Sequence, residues 1–129
     1  MIQSGAFNYI NVLEKATDAS WKRNTVIANN IANATTPYYK RKDVQFESYL
    51  MGALAGGDSL DDNIANVDLD GINPTTYVDY AGYSYRMDGN NVDIDTENAE
   101  LAKNQLKYYT LLDSMSQEFT RLQTVLASK

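Results

Sequence analysis

Apolar or small side chains recur at helical spacing along the first part of the chain. Their steps of three and four residues predict a helix from about Ala6 to Ala34. The middle of this stripe is polar or small, so the helix buries little apolar area by itself and suits close pairing with a second helix. The stripe consists of Phe7, Ile10, Leu13, Thr17, Ser20, Asn24, Ile27 and Ile31.

The end of the chain carries a stronger pattern, in which steps of four and three residues alternate. This heptad seam predicts a helix from about Thr96 to Ala127, with Asp95 as its N-cap and Glu97 in the first turn, where a carboxylate suits the helix dipole. An ordinary core-facing helix would show a similar stripe. The seam consists of Leu101, Gln105, Tyr108, Leu112, Met115, Phe119, Leu122 and Leu126.

The length of these helices constrains the shape of the molecule. About 32 residues form a helix of roughly 48 Å, whereas a compact domain of 129 residues has a radius of gyration of only about 14 Å. We therefore expect a mainly α fold, in which the long N- and C-terminal helices pair as an elongated, coiled-coil-like hairpin. Such a hairpin leaves apolar surface for other chains.

The segment between the helices differs in kind. Residues 46–54 predict a short helix or turn, whereas residues 55–74 are rich in Gly, Asp and Asn and predict a loop. Residues 77–87, YVDYAGYSYRM, favour β structure and precede a turn at Asp88-Gly89. We expect a small β-hairpin here, so the middle segment is irregular with a little β structure.

The charge distribution supports a division into three parts. Residues 1–37 hold three basic and two acidic residues, residues 38–95 hold four basic and eleven acidic, and residues 96–129 hold four of each. We interpret the parts as an N-terminal helix of the core, an acidic middle segment and a C-terminal helix of the core. Neutral helices pack closely in an assembly, whereas an acidic segment favours water.

Composition excludes several classes of function. A net charge of −6 argues against nucleic-acid binding, which needs a basic surface. The sequence contains no run of 18 apolar residues, so no membrane-spanning helix is predicted. The N-terminus lacks the pattern of a cleaved signal peptide. The sequence contains no His and no Cys, so the usual nucleophile–base pairs and zinc sites are missing. We expect no enzyme activity, no cofactor and no metal.

One acidic run resembles part of a calcium loop. Asn66, Asp68, Asp70 and Gly71 match the opening of an EF-hand, but Tyr77 stands where that loop needs a bidentate Glu. A solvated acidic loop explains these residues better. This observation suggests an alternative function for the chain, as an acidic module that binds a cation or another ligand.

An unusual cluster of asparagines lies where the first helix should end. Asn29, Asn30 and Asn33 surround Ile31, and Pro37 follows. Asn is a poor helix former, and a frayed helix end closed by Asn and Pro is one explanation. The other is a row of amides that bond to the backbone of neighbouring chains.

Two blocks of sequence resemble a known family. The run ANNIANATTPYYKRKDVQF is similar to the N-terminal signature of the bacterial flagellar rod and hook axial proteins. Residues 87–108 resemble the start of the C-terminal helix in one short member of that family. One departure is visible, because Tyr38 stands where the family usually has Gly, and Tyr resists the positive φ that Gly permits.

The resemblance implies a structural subunit that is exported unfolded by the flagellar type III apparatus, without a cleaved signal peptide. It implies a place in the proximal rod of the basal body, within the cell envelope, beside the membrane-embedded ring and other rod proteins. Another protein of the proximal rod is the alternative within the family. The terminal helices would pair, self-associate and form a tube that transmits torque. The predicted assembly interface comprises Asn29, Asn30, Ile31, Asn33, Leu101, Tyr108, Leu112, Met115, Phe119, Leu122 and Leu126.

Overall fold

A computed structural model describes residues 5–80 and 86–128. Two long helices carry a small middle unit. In chain order the elements are α1 (Gly5–Ala32), β1 (Lys42–Gln45), α2 (Glu47–Leu54), α3 (Leu60–Asn66), a 3-10 helix (Leu69–Gly71), β2 (Thr75–Val78) and α4 (Ile94–Ala127).

The two long helices pack against each other along their lengths and run antiparallel. Near the end of α1, the Asn30 amide lies 3.1 Å from a carboxylate oxygen of Glu97, at the start of α4. Farther back along α1, the Thr17 hydroxyl lies 3.5 Å from the Met115 sulfur. The predicted fold class, a mainly α hairpin of long terminal helices, is therefore confirmed. Every position of the stripe predicted on α1 is buried or half-buried.

The face of α4 that meets α1 differs from the predicted seam. Half of that seam, Leu101, Tyr108, Met115 and Leu122, is half-buried, but the other half is exposed. Leu112 is 40% exposed and Phe119 is 45% exposed, so this half of the seam does not close the helix pair within the chain. The residues one position earlier take their place: Asn104 is buried, and Leu111 and Glu118 are half-buried. The side of α4 that meets α1 thus carries one Leu and two polar residues at these three positions.

The predicted helix ends are right to within two residues, but the predicted N-cap of α4 is wrong. Asp93 is the cap, and its carboxylate accepts hydrogen bonds from the backbone N–H groups of Asp95 and Thr96. Asp95 instead lies in the first turn. Both residues fit the local sequence rules, because carboxylates suit either position at a helix N-terminus.

The predicted loop at residues 55–74 contains two short helices. Ser59 caps α3, and its hydroxyl accepts from the Asp62 N–H, while Asp68 caps the 3-10 helix. Ile64 and Leu69 are buried. Elements of seven and three residues are too short to show a hydrophobic period, so the polar caps dominated the sequence pattern. Of the two alternatives predicted for residues 46–54, a short helix or a turn, the helix forms, as α2.

The short elements build a core on a second side of α1. Ala19 of α1 is buried together with Phe46, Leu69 and Ile72, and Val12, Ala16, Leu50 and Val67 pack around them. Helix α1 is thus covered on one side by α4 and on another by the middle segment. Most of α4 has only one covered side, which leaves a long surface for other contacts.

The predicted β-hairpin has a different partner. Strand β2 pairs antiparallel with β1, in a register that sets Thr75 opposite Gln45 and Val78 opposite Lys42. The expected return strand falls partly on residues 81–85, which lie outside the described residues. The turn at Asp88-Gly89 is confirmed, since the Gly89 N–H donates to the Arg86 carbonyl at 3.1 Å and Gly89 has φ +74°.

One carboxylate joins three helices. Glu47, the first residue of α2, accepts two hydrogen bonds from Arg23 of α1, at 2.5 and 2.8 Å, and one from Lys107 of α4. Partial burial disfavours the Glu47 carboxylate, but these cationic donors outweigh burial and lower its pKa from about 4.5 to about 2. The folded state therefore stabilises the charged form of Glu47.

Acid should weaken this three-helix contact. Because the folded pKa of Glu47 lies below its unfolded value, its stabilisation is complete above about pH 4.5 and is lost as pH falls towards 2. In Glu47→Gln, the free energy of unfolding should fall less between pH 5 and pH 2.5 than in the unmodified chain. Urea unfolding at both pH values measures the difference. Glu14→Gln, at an exposed position of α1, controls for the loss of one carboxylate, and equal pH slopes for both variants would contradict the assignment.

Candidate assembly surface

Asn30 is fully buried, and its side chain is used inside the chain. Its amide nitrogen donates to the Lys42 carbonyl at 2.8 Å and to Glu97 at 3.1 Å. Its amide oxygen accepts from the Lys42 N–H at 2.9 Å and from the Tyr39 hydroxyl at 3.1 Å. The prediction that Asn30 bonds to neighbouring chains is therefore wrong, since this amide joins α1 to β1 and α4.

The other members of the asparagine cluster have different roles. Asn33 closes the end of α1, because its amide nitrogen donates to the Asn29 carbonyl at 2.8 Å and its oxygen accepts from the Thr36 hydroxyl at 3.1 Å. Ile31 and Asn33 are half-buried, whereas the Asn29 side chain is exposed. Asn29 is thus the amide of this cluster with most surface left for a neighbouring chain.

A buried ion pair stands beside Asn30. Glu97 is only 1% exposed, and its carboxylate accepts from Arg41 and from the Asn30 amide. The Arg41 guanidinium also bonds to Asp79. Sequence reasoning assigned Glu97 to the helix dipole and missed this pairing, because Arg41 lies 56 residues earlier in the chain. This network locks the end of α1 to the start of α4.

A second buried amide joins the loop after α1 to the segment before α4. Asn90 is fully buried, and its amide nitrogen donates to the carbonyls of Asn33 and Thr36, both at 2.8 Å. Its oxygen accepts from the Val92 N–H at 2.7 Å. Both sequence blocks that resemble the axial proteins therefore meet in one structure at this end of the hairpin.

Tyr38 adopts the backbone conformation that its residue type disfavours. Its φ is +62°, and its N–H donates to the Asp88 carbonyl at 2.7 Å. Its ring lies over Gly89, so closely that a Cβ on Gly89 would come within 2.9 Å of it. The tight turn is thus kept although Gly is replaced, because contacts from the Asp88-Gly89 turn hold Tyr38 in place.

Helix α4 presents a long exposed surface that lacks charge. We call it the outer face of α4; it consists of Ile94, Asn98, Gln105, Tyr109, Leu112, Ser116, Phe119, Gln123 and Leu126. All of these side chains are exposed, and large apolar residues recur among neutral polar ones. Depletion of charge with enrichment of aromatic and apolar side chains is typical of the core of protein–protein interfaces.

Aromatic residues extend this surface onto α1. The Trp21 ring is 59% exposed, and its centroid lies 5.7 Å from that of Tyr108. Tyr108 in turn lies 5.9 Å from Tyr109 of the outer face. Trp and Tyr are frequent anchors of interfaces, since each offers a large rigid area.

The described part of the acidic middle segment contains no candidate metal site. Within residues 5–80 and 86–128, no group of three or more Asp or Glu side chains is placed to hold a metal ion. The Asp68 carboxylate, part of the run that resembles a calcium loop, instead accepts from the Asp70 N–H as a cap. Among the described helices, none is both long and apolar enough to cross a bilayer.

Comparison with known proteins finds several relatives that carry the same name. The flagellar basal body rod protein FlgB of Bacillus subtilis strain 168 is 37% identical over 118 residues, which cover 91% of this chain and 92% of the relative. FlgB of Escherichia coli K12 is 30% identical over 128 residues, or 89% of this chain and 90% of the relative. This chain belongs to the FlgB family of flagellar basal body rod proteins. FlgB of Borreliella burgdorferi is also 30% identical, with 91% of this chain and 99% of the relative covered.

FlgB membership confirms the resemblance to the axial proteins and decides between siblings within the rod. No protein-family model matches the chain, so the assignment comes from these individual relatives. FlgB relatives support a structural role in the flagellar basal body and in motility.

Proposed function

We propose that this chain is a structural subunit of the proximal rod of the flagellar basal body, and that its terminal helices assemble into the tube that transmits torque. The observation that carries the proposal is the outer face of α4. It is exposed and uncharged along a helix of 34 residues, or about 50 Å. A solvated surface of that length would normally carry charges.

The spacing of the outer face suits another helix as its partner. Leu112, Phe119 and Leu126 follow each other at intervals of seven residues, so they lie along one line of the helix. Knobs at this spacing fit the holes of a neighbouring helix. In the rod, a helix from another subunit would cover this line, together with Trp21 and the exposed Asn29 of α1.

Stiffness is the property that torque transmission requires. The helix pair is joined near one end by the hydrogen bond from Asn30 to Glu97, whose carboxylate also pairs with Arg41, and farther along by the contact between Thr17 and Met115. The Glu47 carboxylate fastens α2 to both long helices. Each subunit would therefore behave as a rigid bar, and twisting would be carried by the contacts between subunits.

The proposed partners are copies of this chain, other rod proteins and the ring or adaptor proteins of the basal body. The proposed location is the rod within the cell envelope, after export through the flagellar type III apparatus without a cleaved signal peptide. No nucleic acid, cofactor or membrane insertion belongs to the proposal. The acidic middle segment would face water.

In-cell cross-linking tests the proposal directly. A photo-reactive amino acid at Leu112 should cross-link to flagellar rod proteins in the organism that encodes the chain, whereas the same group at Thr110, exposed on the opposite side of α4, should give far fewer adducts. Mass spectrometry identifies the partners. Intact rods and normal swimming in a strain that lacks the gene would overturn the proposal.

A further inference from the structure

Helix α4 carries two overlapping apolar faces, and the structure uses the less apolar one against α1. Both faces share the column Leu101, Tyr108, Met115 and Leu122. The inner column adds Asn104, Leu111 and Glu118, whereas the outer column adds Gln105, Leu112, Phe119 and Leu126. Burial of apolar area alone would favour the outer column, since three of its members are large and apolar. A rotation of α4 about its axis by roughly 50°, half the angle between successive residues, would exchange the two.

A polar contact opposes that rotation. Asn104 is 4% exposed, and its amide nitrogen donates to the Ser20 carbonyl at 2.8 Å and approaches the Asn24 side-chain oxygen at 3.5 Å. Rotation of α4 toward the outer column would turn this amide away from α1. The buried Asn30 and Glu97 contact adds a second tie, two turns earlier on α4.

This polar layer is not arranged for greatest stability. The Ser20 hydroxyl oxygen and the Asn104 amide oxygen are buried, and neither has a hydrogen-bond partner among the described residues. Such atoms oppose folding, because they lose water and gain nothing in return. Buried Asn at a seam position is a known way to fix helix alignment at some cost in stability.

We infer that Asn104 is a positioning residue, whose hydrogen bond to the Ser20 carbonyl selects the inner column for α1 and so keeps the outer column exposed. The selection is a property of the single chain. Its consequence for rod contacts rests on the proposed function, but its test does not.

Thiol labelling tests the inference in the isolated chain, which has no Cys of its own. Leu111→Cys and Leu112→Cys place one thiol in each column. With Asn104 present, the thiol at position 112 should react faster with a maleimide than the thiol at position 111. In Asn104→Ala, which removes the amide without adding a large apolar side chain to the inner column, the rate ratio between the two positions should fall roughly fivefold, since one hydrogen bond is lost.

Gln105→Ala is the matched control, because it truncates an amide one residue away, in the outer column, while Asn104 remains. Its labelling ratio should stay as in the unmodified chain.

A folded Asn104→Ala chain that keeps the labelling ratio would overturn the inference, whatever its thermal stability. Circular dichroism establishes whether the variant is folded. If Asn104→Ala does not fold, Asn104→Ser is measured instead, since it also lacks the amide N–H. An unchanged ratio in Asn104→Ser would equally overturn the inference.

Discussion

Aspartate at both Leu112 and Phe119 should abolish rod assembly and motility while the single chain still folds. The two side chains are 40% and 45% exposed, so a carboxylate at either position keeps its water in the free subunit. In an assembly that covers the outer face of α4, two unpaired carboxylates would be buried, at a cost of several kcal/mol each. Swimming assays and isolation of basal bodies measure the loss.

The matched control is Thr110→Asp with Gln117→Asp. These positions have the same seven-residue spacing and are exposed on the opposite side of α4. The control pair should swim normally and enter the rod. Export should continue for both pairs, and detection of the protein outside the cytoplasm checks this. Normal motility of the Leu112 and Phe119 double variant would contradict the role of the outer face.

Loss of the Arg41 side chain should destabilise the single chain by about 3–5 kcal/mol, because it leaves the Glu97 carboxylate buried without its cation. Glu97 is 1% exposed, and the hydrogen bond from the Asn30 amide does not replace a full charge. Arg41→Met keeps much of the packing of the Arg stem. Urea unfolding at pH 7 measures the change in free energy of unfolding.

The pair formed by exposed Arg121 and half-buried Glu118 provides the control. Arg121 also donates to a carboxylate, at 2.7 Å, but its side chain is 73% exposed. Arg121→Met should therefore change stability by less than about 1 kcal/mol. Adding Glu97→Gln to Arg41→Met should recover part of the loss, since no buried charge is then left. Equal effects of the two Arg variants would show that Glu97 is not effectively buried.

The hydrophobic pattern was sufficient to predict the long helices. Alternating steps of three and four residues persist over many turns in both, and errors at single positions average out over such lengths. Both helices begin and end within two residues of the predicted bounds. Their pairing followed from length alone, because two such helices do not fit a compact sphere.

The pattern was not sufficient to decide which side of α4 meets α1. Apolar content favoured Leu112 and Phe119, but the helices meet through Asn104, which bonds to a backbone carbonyl of Ser20. A polar contact of this kind depends on the position of a group 84 residues away, which no local period records. The pairing of Arg41 with Glu97 and the partners of Asn30 could not be predicted from the sequence for the same reason, because no local period records these contacts.

The middle segment shows the same division between local and tertiary information. Its sequence was sufficient to predict local features such as the turn at Asp88-Gly89. It did not indicate that Ile64 and Leu69 are buried, since that depends on the second side of α1 being free to receive them. It also suggested that Tyr38 would resist a positive φ, whereas contacts with Gly89 and Asp88 hold it there.

The sequence by itself thus determined the two long helices, their pairing and the apolar stripe along α4, because each depends on composition and period along one segment. Tertiary structure alone decided which face of α4 is covered, which amides are buried and where the short strands pair. Those choices come from contacts between groups that are far apart in the chain, where a single hydrogen bond or buried charge outweighs a local preference of a few tenths of a kcal/mol.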